Sequence, residues 1–125
     1  GIKKGVWKSF YDSGKIYTEG EYKNGEFHGR WIIYHENGKI KQTGFYEKGS
    51  AEGIFKMYYS SGKIKNSGNF KNNMKEGLWK TYYENGSLMS EINFRKGNRS
   101  GEAIAYDRKG EIVERKMYDP DEENK

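Results

Sequence analysis

Apolar and polar residues alternate in short segments that are bounded by glycine-containing turns. One such segment runs Ile-Tyr-Thr-Glu-Gly-Glu-Tyr-Lys, and its period of two predicts a β-strand with Ile16, Gly20 and Tyr22 on one face. The segment before it leads into a turn, and the equivalent turn of the next segment is Asn37-Gly38. Asn-Gly between strands favours a type I′ turn, in which both central residues have positive φ. The pattern therefore predicts a series of β-hairpins.

The same pattern returns every 24 residues, without insertion or deletion. Five units begin at a glycine, and these residues are Gly5, Gly29, Gly53, Gly77 and Gly101. The hairpin turns are predicted at Ser13-Gly14, Asn37-Gly38, Ser61-Gly62, Asn85-Gly86 and Lys109-Gly110. An unbroken period of this length is typical of tandem repeat proteins, in which each unit packs on its neighbours.

Aromatic residues follow the same period. Two residues after the first glycine of a unit lie Trp7, Trp31, Phe55 and Trp79, and three residues further on lie Phe10, Tyr34, Tyr58, Tyr82 and Tyr106. A step of three residues cannot keep two side chains on one face of a regular strand, so we expect a β-bulge or a bend. Packing of rings between neighbouring units explains the period, and Trp31, which has units on both sides, is predicted to be buried.

These patterns predict an all-β protein. The expected architecture is an elongated, twisted antiparallel meander of about ten strands, a single sheet of tandem 24-residue hairpins. The array spans residues 1–118, and residues 1–4 match the end of a truncated unit. In the fifth unit Ala103 takes the Trp position, which is typical of a terminal capping repeat. The acidic segment 119–125 is predicted to be a disordered tail.

The charge of the chain leaves several partners open. The net charge is +5, and because the last seven residues carry −3, the repeats carry +8. A basic surface can meet anionic lipid, nucleic acid or an acidic protein, although Lys also keeps a polar sheet soluble and protects its edges. Aromatic rings with interleaved Lys also occur where single-stranded nucleic acid stacks. Since core packing already accounts for the rings, we expect no nucleic-acid partner.

The residues of catalytic and metal sites do not cluster in this sequence. There is no cysteine, and His28 and His35 occupy different repeat positions, whereas a metal site needs three or four clustered ligands. The S-x-x-K motif that starts at Ser60 resembles that of β-lactamases, but in the repeat it is a hairpin turn. No apolar run approaches the ~20 residues of a transmembrane helix. We therefore expect no enzyme activity, no metal, no cofactor and no transmembrane segment.

The repeat unit resembles the variant form of the MORN repeat. The first unit carries the resemblance in Gly5-Val6-Trp7, in Gly14-Lys15-Ile16 and in the run Gly-Glu-Tyr-Lys-Asn-Gly that starts at Gly20. With the equivalent residues of the other units, the resemblance extends over about 115 residues. Bacterial proteins built from this variant are grouped as a YwqK-like toxin–antitoxin family. The resemblance implies an antitoxin or immunity-like protein whose partner is a toxin.

Candidate partner-binding residues stand where the repeat departs from its own pattern. Tyr17, Phe45 and Met89 occupy positions of the second strands at which a solvent-facing sheet is expected to be polar. Aromatic and Met residues are enriched at protein interfaces, and Lys41 and Lys65 beside them would attract an acidic partner. We therefore predict a partner surface formed by Tyr17, Lys41, Phe45, Lys65 and Met89. The competing interpretation is that a second layer covers these residues.

Two functions remain open from the sequence. The first is a non-catalytic repeat protein that mediates protein–protein interaction, as a bacterial antitoxin or immunity-like binder. The second is a membrane-peripheral scaffold that binds anionic phospholipid through its Lys-rich face. High ionic strength would weaken lipid binding far more than an aromatic protein interface. The sequence assigns no compartment, because the bacterial cytoplasm and the cell envelope are both compatible with it.

Overall fold

The computed structural model of the protein describes residues 5–118, which form one open antiparallel sheet of eleven strands. The strands are β1 (Gly5–Phe10), β2 (Ile16–Lys23), β3 (Glu26–Tyr34), β4 (Ile40–Glu47), β5 (Ser50–Ala51), β6 (Gly53–Tyr58), β7 (Ile64–Lys71), β8 (Met74–Tyr82), β9 (Leu88–Arg95), β10 (Asn98–Tyr106) and β11 (Ile112–Tyr118). Sequential strands are neighbours in the sheet, which confirms the predicted all-β meander of tandem hairpins. Residues 5–118 contain no helix that is long and apolar enough to span a membrane. The truncated unit at 1–4 and the predicted tail at 119–125 lie outside the described residues.

One unit has three strands instead of two. β5 pairs only with β4, and Glu52 separates it from β6, whereas the equivalent segment of the preceding unit is the continuous strand β3. The Glu52 N–H still donates to the carbonyl oxygen of Phe45 at 2.9 Å, so this residue remains attached to β4. The interruption adds the eleventh strand to the ten that the repeat predicts.

Each hairpin contains a β-bulge. Ser9 pairs with Thr18, but Phe10 pairs with Ile16, so Tyr17 has no directly opposed residue. The same register shift recurs in the other hairpins at Lys41, Lys65, Met89 and Val113. The predicted bulge is present, but the extra residue belongs to the second strand of the hairpin. The first strand alternates regularly, so its Trp and Tyr positions lie on opposite faces.

The bulge places the aliphatic residues at the start of the second strands on the face opposite to the predicted one. These residues are Ile16, Ile40, Ile64, Leu88 and Ile112. Tyr34 Oη donates a hydrogen bond to the carboxylate of Glu19, while the Trp31 ring packs on Gly20, the next residue of β2. Tyr34 and Trp31 therefore lie on opposite faces. Ile40 is directly opposite Tyr34 beyond the bulge, and directly opposed residues share a face. Ile40 and the equivalent aliphatic residues therefore lie on the same face as Tyr34. Alternation predicts them on the face of Gly20 and its equivalents, but the bulge reverses the parity of the strand.

A second irregularity, which the sequence analysis missed, joins successive hairpins. Gly20 pairs with Trp31 and Tyr22 pairs with Phe27, so residues 28–30 of β3 lie opposite a single residue of β2. Gly29, at the centre of this bulge, has φ +98°, a left-handed conformation that favours glycine. Equivalent shifts occur around Gly77 and Gly101. The first glycine of these units is therefore a bulge residue.

The turns lie where the sequence predicts them, but the turn at Asn37-Gly38 is not of the predicted type I′. In the Asn37-Gly38 turn only Gly38 has positive φ, and its N–H donates to the His35 carbonyl at 2.9 Å, as in a three-residue loop that ends on a left-handed glycine. The type I′ geometry lies instead in the turns that lead to the next unit. There Asn24 and Gly25 have φ +54° and +82°. Asn37 instead links two units, since its Nδ2 donates to the Ser60 carbonyl of the next unit at 2.7 Å.

The aromatic rings form a continuous ladder along one face of the sheet. Successive rings lie 4.5–6.4 Å apart between centroids and are mostly edge-to-face, a favourable arrangement for aromatic pairs. The members are Trp7, Tyr22, Phe27, Trp31, Tyr46, Phe55, Phe70, Trp79 and Phe94. We call this face the ladder face. It supplies the only continuous aromatic packing that residues 5–118 show between units.

Glycine provides the room for this ladder. A Cβ placed on Gly20 would lie 1.7 Å from the Trp31 ring, and on Gly68 it would lie 2.0 Å from the Trp79 ring. Each ring thus lies flat on the backbone of the preceding unit. Where the glycine column fails, Ile92 takes its place, and the directly opposed residue is Ala103 instead of Trp. At this position the larger side chain belongs to β9 instead of β10, so the space between the two strands remains filled at the end of the array.

Burial along the ladder is uneven. Among the described residues only Ala51, Phe55 and Trp79 form the buried apolar core, with Trp79 at 8% exposure, whereas Trp7 in the edge strand is 44% exposed. Trp31, which has units on both sides, is only half-buried. The reason is that a single sheet has no second layer, and a ring is covered only by its neighbours along the ladder.

Side-chain hydrogen bonds also link each unit to the next at the hairpin ends. Tyr11 Oη donates to the Tyr34 carbonyl at 2.6 Å, and Tyr59 Oη donates to the Tyr82 carbonyl at 2.6 Å. In the second unit His35 takes the Tyr position, and its Nε2 lies 3.0 Å from the Tyr58 carbonyl. These bonds act 23 residues apart, so they hold adjacent hairpins at a constant spacing.

Candidate partner-binding surface

The face opposite the ladder carries a row of exposed apolar side chains. They come from the pairs formed by the residue after the first glycine of a unit and its partner in the second strand. In every pair one residue is apolar and its exposure is between 42% and 70%. We call these residues the apolar row: Val6, Phe45, Ile54, Leu78 and Met117. Their paired residues are Glu21, Arg30, Asn69, Asn93 and Glu102, so every member of the row has a polar residue directly opposite.

The dimensions of the apolar row follow from the sheet. It crosses from β1 to β11, which at a strand spacing of about 4.8 Å is a length of about 43 Å. Leu78 and Ile54 each precede a ladder residue, Trp79 and Phe55, so they point away from the ladder. No residue among 5–118 forms a second layer over them, and their exposed fractions show that they meet solvent.

Four of the five predicted partner-binding residues lie at the hairpin bulges. Tyr17, Lys41, Lys65 and Met89 are the extra residues of β2, β4, β7 and β9, and we call these four the bulge row. Tyr17 is exposed and its ring centroid is 4.8 Å from that of Tyr11. Lys65 is also exposed, with Nζ 5.7 Å from the Tyr59 ring centre, whereas Met89 is half-buried. The structure therefore aligns these four residues across about 29 Å of sheet.

Phe45 belongs to a different part of the surface. It lies four residues from Lys41 along β4, which corresponds to ~13 Å, and it is a member of the apolar row. Its ring centroid is 6.5 Å from that of His28, and its directly opposed residue is Arg30. The predicted site is thus divided into two parallel rows.

Val6, Ile54 and Leu78 are not among the residues that the sequence predicts for this surface. They lie in first strands, and only second strands alternate plainly enough to assign a face. A signal was nevertheless present, because each of them directly precedes a residue of the Trp position, and neighbours in a strand lie on opposite faces.

Charge along the two rows is mixed. Lys41 and Lys65 are exposed, but Glu21, Arg30 and Glu102 lie directly opposite members of the apolar row. Glu102 Oε2 lies 3.6 Å from Arg115 Nη1, an exposed ion pair that contributes little to stability. The rows therefore offer an apolar surface with balanced charge instead of a uniformly basic one.

Two Tyr–Glu hydrogen bonds lie beside the apolar row. Tyr34 donates to Glu19, and Tyr106 Oη donates to Glu91 Oε1 at 2.6 Å. The hydrogen bond to the carboxylate, with burial and the carboxylate charge, raises the pKa of both Tyr hydroxyls above 10.0. The pairs are three units apart and belong to the repeat pattern, so they hold the sheet together and do not mark one unique site. Within residues 5–118 no three His, Cys, Asp or Glu side chains are grouped to hold a metal ion.

Comparison with protein families decides what kind of repeat this is. The model of the MORN repeat variant matches four tandem segments, residues 3–24, 27–48, 51–72 and 75–96, which together cover more than two thirds of the chain. The chain belongs to the MORN repeat variant family. No curated protein matches the sequence as a relative.

The MORN assignment fixes a coarse function. MORN repeats generally bind proteins or membranes, and the family is typically non-catalytic. The matched segments begin two residues before each first glycine, so the segments 27–48 and 75–96 include the bulge that joins them to the preceding hairpin. The fifth unit, which begins at Gly101, lies beyond the end of the last match.

Proposed function

We propose that this protein is a non-catalytic binder of another protein, of the antitoxin or immunity type, and that it holds its partner on the apolar row. The observation that carries the proposal is the exposure of five large apolar side chains in one row on the face opposite the ladder. Exposed apolar patches bordered by polar residues are typical of protein interfaces. Each apolar residue here has a polar residue directly opposite, which is the composition of such an interface.

The geometry of the sheet favours a protein as the occupant. A row about 43 Å long can contact many side chains at once, and its rigidity lowers the entropic cost of binding. The centre of the row, where Phe45 and Ile54 lie in adjacent parts of β4 and β6, is the expected hot spot. Lys41 and Lys65 of the bulge row, at ~13 Å from the apolar row, would increase the association rate of an acidic partner.

Binding of anionic phospholipid is the second candidate, and the charge distribution supports it less well. Lipid binding through Lys requires an excess of positive charge on one surface. Around the apolar row the charges are balanced, as Glu21, Arg30 and Glu102 show. Protein binding is therefore the function that the surface supports best.

The test is a growth assay with a partner from the source cells. Proteins that co-purify with the wild type but not with Ile54→Lys are identified and expressed alone. One of them is expected to arrest growth, and co-expression of the wild type is expected to restore it. Phe45→Ala and Ile54→Lys should fail to restore growth, while Lys63→Ala, in a hairpin turn away from the row, should restore it fully.

Two results would overturn the proposal. One is restoration of growth by Ile54→Lys as complete as by the wild type, with the same expression level. The other is sedimentation of the wild type with phosphatidylglycerol vesicles at low salt, lost at high salt and in Lys41→Glu/Lys65→Glu, without any protein partner. The second result would assign the membrane function instead.

A further inference from the structure

The ladder face contains one cavity that the repeat pattern does not explain. It lies in the middle of the array and has a volume of about 310 Å³. Its walls include four rings of the ladder, Tyr46, Phe55, Phe70 and Trp79. This volume is at the lower end of the range of small-molecule sites, which are also lined mainly by apolar and aromatic side chains.

The cavity lies where the preceding unit carries the ring of Phe27. In the preceding unit Phe27 lies 4.5 Å from Trp31 and 5.4 Å from Tyr46, between centroids, and fills the space between them. The residue at the equivalent position 24 residues later is Ala51, and Trp31 and Tyr46 correspond there to Phe55 and Phe70. The space that a phenyl ring fills in one unit is therefore open in the next.

The wall at Ala51 is held firmly in place. The Ala51 N–H donates to Asn73 Oδ1 at 2.6 Å, and the Asn73 N–H donates to the Ala51 carbonyl at 3.1 Å. Asn73 has φ +69° and stands where other units have a turn glycine, so its side chain is available for this bond. Because both bonds fix the backbone of β5, the chain is not free to close the gap.

One polar group in the wall of the cavity lacks a partner. Asn66 lines the cavity, and its Oδ1 is covered by neighbouring atoms and has no hydrogen-bond donor from any residue of 5–118, so a rotation of the amide would expose it to an occupant. A buried acceptor without a donor is costly, so an occupant that donates a hydrogen bond here gains more than a purely apolar one. Lys75 also lines the cavity, and its Nζ lies 4.9 Å from the Trp79 ring centre.

We infer that this cavity binds one planar aromatic group that carries an N–H or O–H donor, such as an indole or a phenol. The ring takes the place that Phe27 holds in the preceding unit, against Phe55 and Phe70, and its donor bonds to Asn66 Oδ1. The site is on the opposite face from the apolar row, because Trp79 and Leu78 are adjacent in β8, and it does not depend on the proposed protein partner.

The experiment uses indole and 1-methylindole, which differ in the N–H donor, and follows the amide spectrum of the isotope-labelled protein. Indole is expected to shift the Asn66 side-chain amide and the Trp79 indole N–H. Binding of 1-methylindole should be about fivefold weaker, the order of effect expected for one neutral hydrogen bond. N-acetyl-tryptophanamide is the third probe: its binding would mark the site as one for a protein side chain, and its exclusion would mark it as one for a free molecule.

Variants make the assignment specific. Ala51→Phe introduces the ring that Phe27 supplies in the preceding unit and should abolish indole binding, while Arg99→Phe, a substitution to Phe at the equivalent position two units later, should leave it unchanged. Asn66→Leu should remove the preference for indole over 1-methylindole while keeping the ring site. Urea unfolding confirms that each variant is folded, and if Ala51→Phe is not, the loss of selectivity in Asn66→Leu decides. Equal affinity of the wild type for both probes, or shifts outside the cavity only, would refute the inference.

Discussion

At the scale of single residues, the contact between a glycine and a ring determines how closely two units approach. Gly68 has no Cβ, and the Trp79 ring occupies the space where one would be, 2.0 Å from its ideal position. Neither the Gly68 backbone nor the Trp79 ring can move easily, because Gly68 lies within β7 and Trp79 Nε1 donates to the Asn69 carbonyl at 3.1 Å. The smallest side-chain addition must therefore displace the ring.

Gly68→Ala should lower the free energy of unfolding by about 1–3 kcal/mol, the usual cost of overpacking. A double-mutant cycle in urea separates crowding from other causes. In a Trp79→Ala background the same Gly68→Ala change should cost much less, because the ring is gone. An equal cost in both backgrounds would show that the ring contact is not the reason for the glycine.

The pKa of Tyr34 gives a prediction for alkaline conditions. Its hydrogen bond to Glu19, burial and the Glu19 charge all raise the pKa of the Tyr34 hydroxyl above 10.0. Below pH 10 the hydroxyl is protonated in both the folded and the unfolded chain, so its contribution to stability is complete. Above pH 10 the unfolded chain loses the proton first, so unfolding releases a proton and stability falls as pH rises.

Tyr34→Phe should therefore lose less stability than the wild type between pH 9 and pH 11, as measured by urea unfolding at each pH. Tyr11, Tyr46 and Tyr106 also have a raised pKa and will retain part of the slope. Tyr17→Phe serves as the comparison. A slope in Tyr34→Phe identical to that of the wild type would contradict the assigned role of the Tyr34–Glu19 bond.

At the scale of strands and turns, the repeat uses two turn geometries for two purposes. The turn within a hairpin needs one left-handed residue, which is always glycine among the described units. The turn between units needs two, and Lys48 and Lys96 adopt φ +49° and +51° at its first position. A lysine is strained in this conformation, whereas Asn adopts it more readily.

Lys48→Asn should accordingly raise the free energy of unfolding by about 0.5 kcal/mol, since left-handed conformations cost ordinary residues on the order of 1 kcal/mol. Lys96→Asn should have a similar effect. Lys63→Asn, at a turn residue without positive φ, should not stabilise the protein. A gain in Lys63→Asn that equals the gain in Lys48→Asn would mean that charge, not backbone conformation, is responsible.

The hairpins could be predicted from the sequence because each has a local signal. Alternation from Ile16 to Lys23 and glycine at a fixed position define two strands and a turn, and the structure confirms them. The face of a side chain was harder to predict, because it depends on the parity of the whole strand. One extra residue at Tyr17 reverses that parity for Ile16 and leaves Gly20 unchanged. The Phe45 part of the site follows from alternation in the second strand, whereas Ile54 and Leu78 follow only once Phe55 and Trp79 are assigned to the ladder face.

At the scale of the whole molecule, each ring of the ladder is covered only by the rings next to it. The free energy of unfolding that is lost when a ring is removed should therefore depend on its position in the array. Trp79→Ala should cost about 3–5 kcal/mol, because the ring is buried. Trp7→Ala should cost clearly less, because Trp7 lies in the edge strand and is half exposed. Lys41→Ala should change stability by no more than about 0.5 kcal/mol.

Equilibrium unfolding in urea tests this gradient. Equal losses for Trp7→Ala and Trp79→Ala would indicate that a layer outside the described residues covers the ladder. A loss for Lys41→Ala as large as that for Trp79→Ala would mean that the faces have been exchanged.

The contact between Trp31 and Gly20 also determines at which edge of the sheet further repeats can be added. Three rings, Trp31, Phe55 and Trp79, each lie over the glycine of the unit before them. A further 24-residue module placed ahead of β1 would bring a glycine for Trp7 to cover. A module placed after β11 would bring its Trp against Lys116, which holds the glycine position there. An engineer who wishes to lengthen this protein should therefore expect soluble, cooperative products from additions at one edge of the sheet and not at the other.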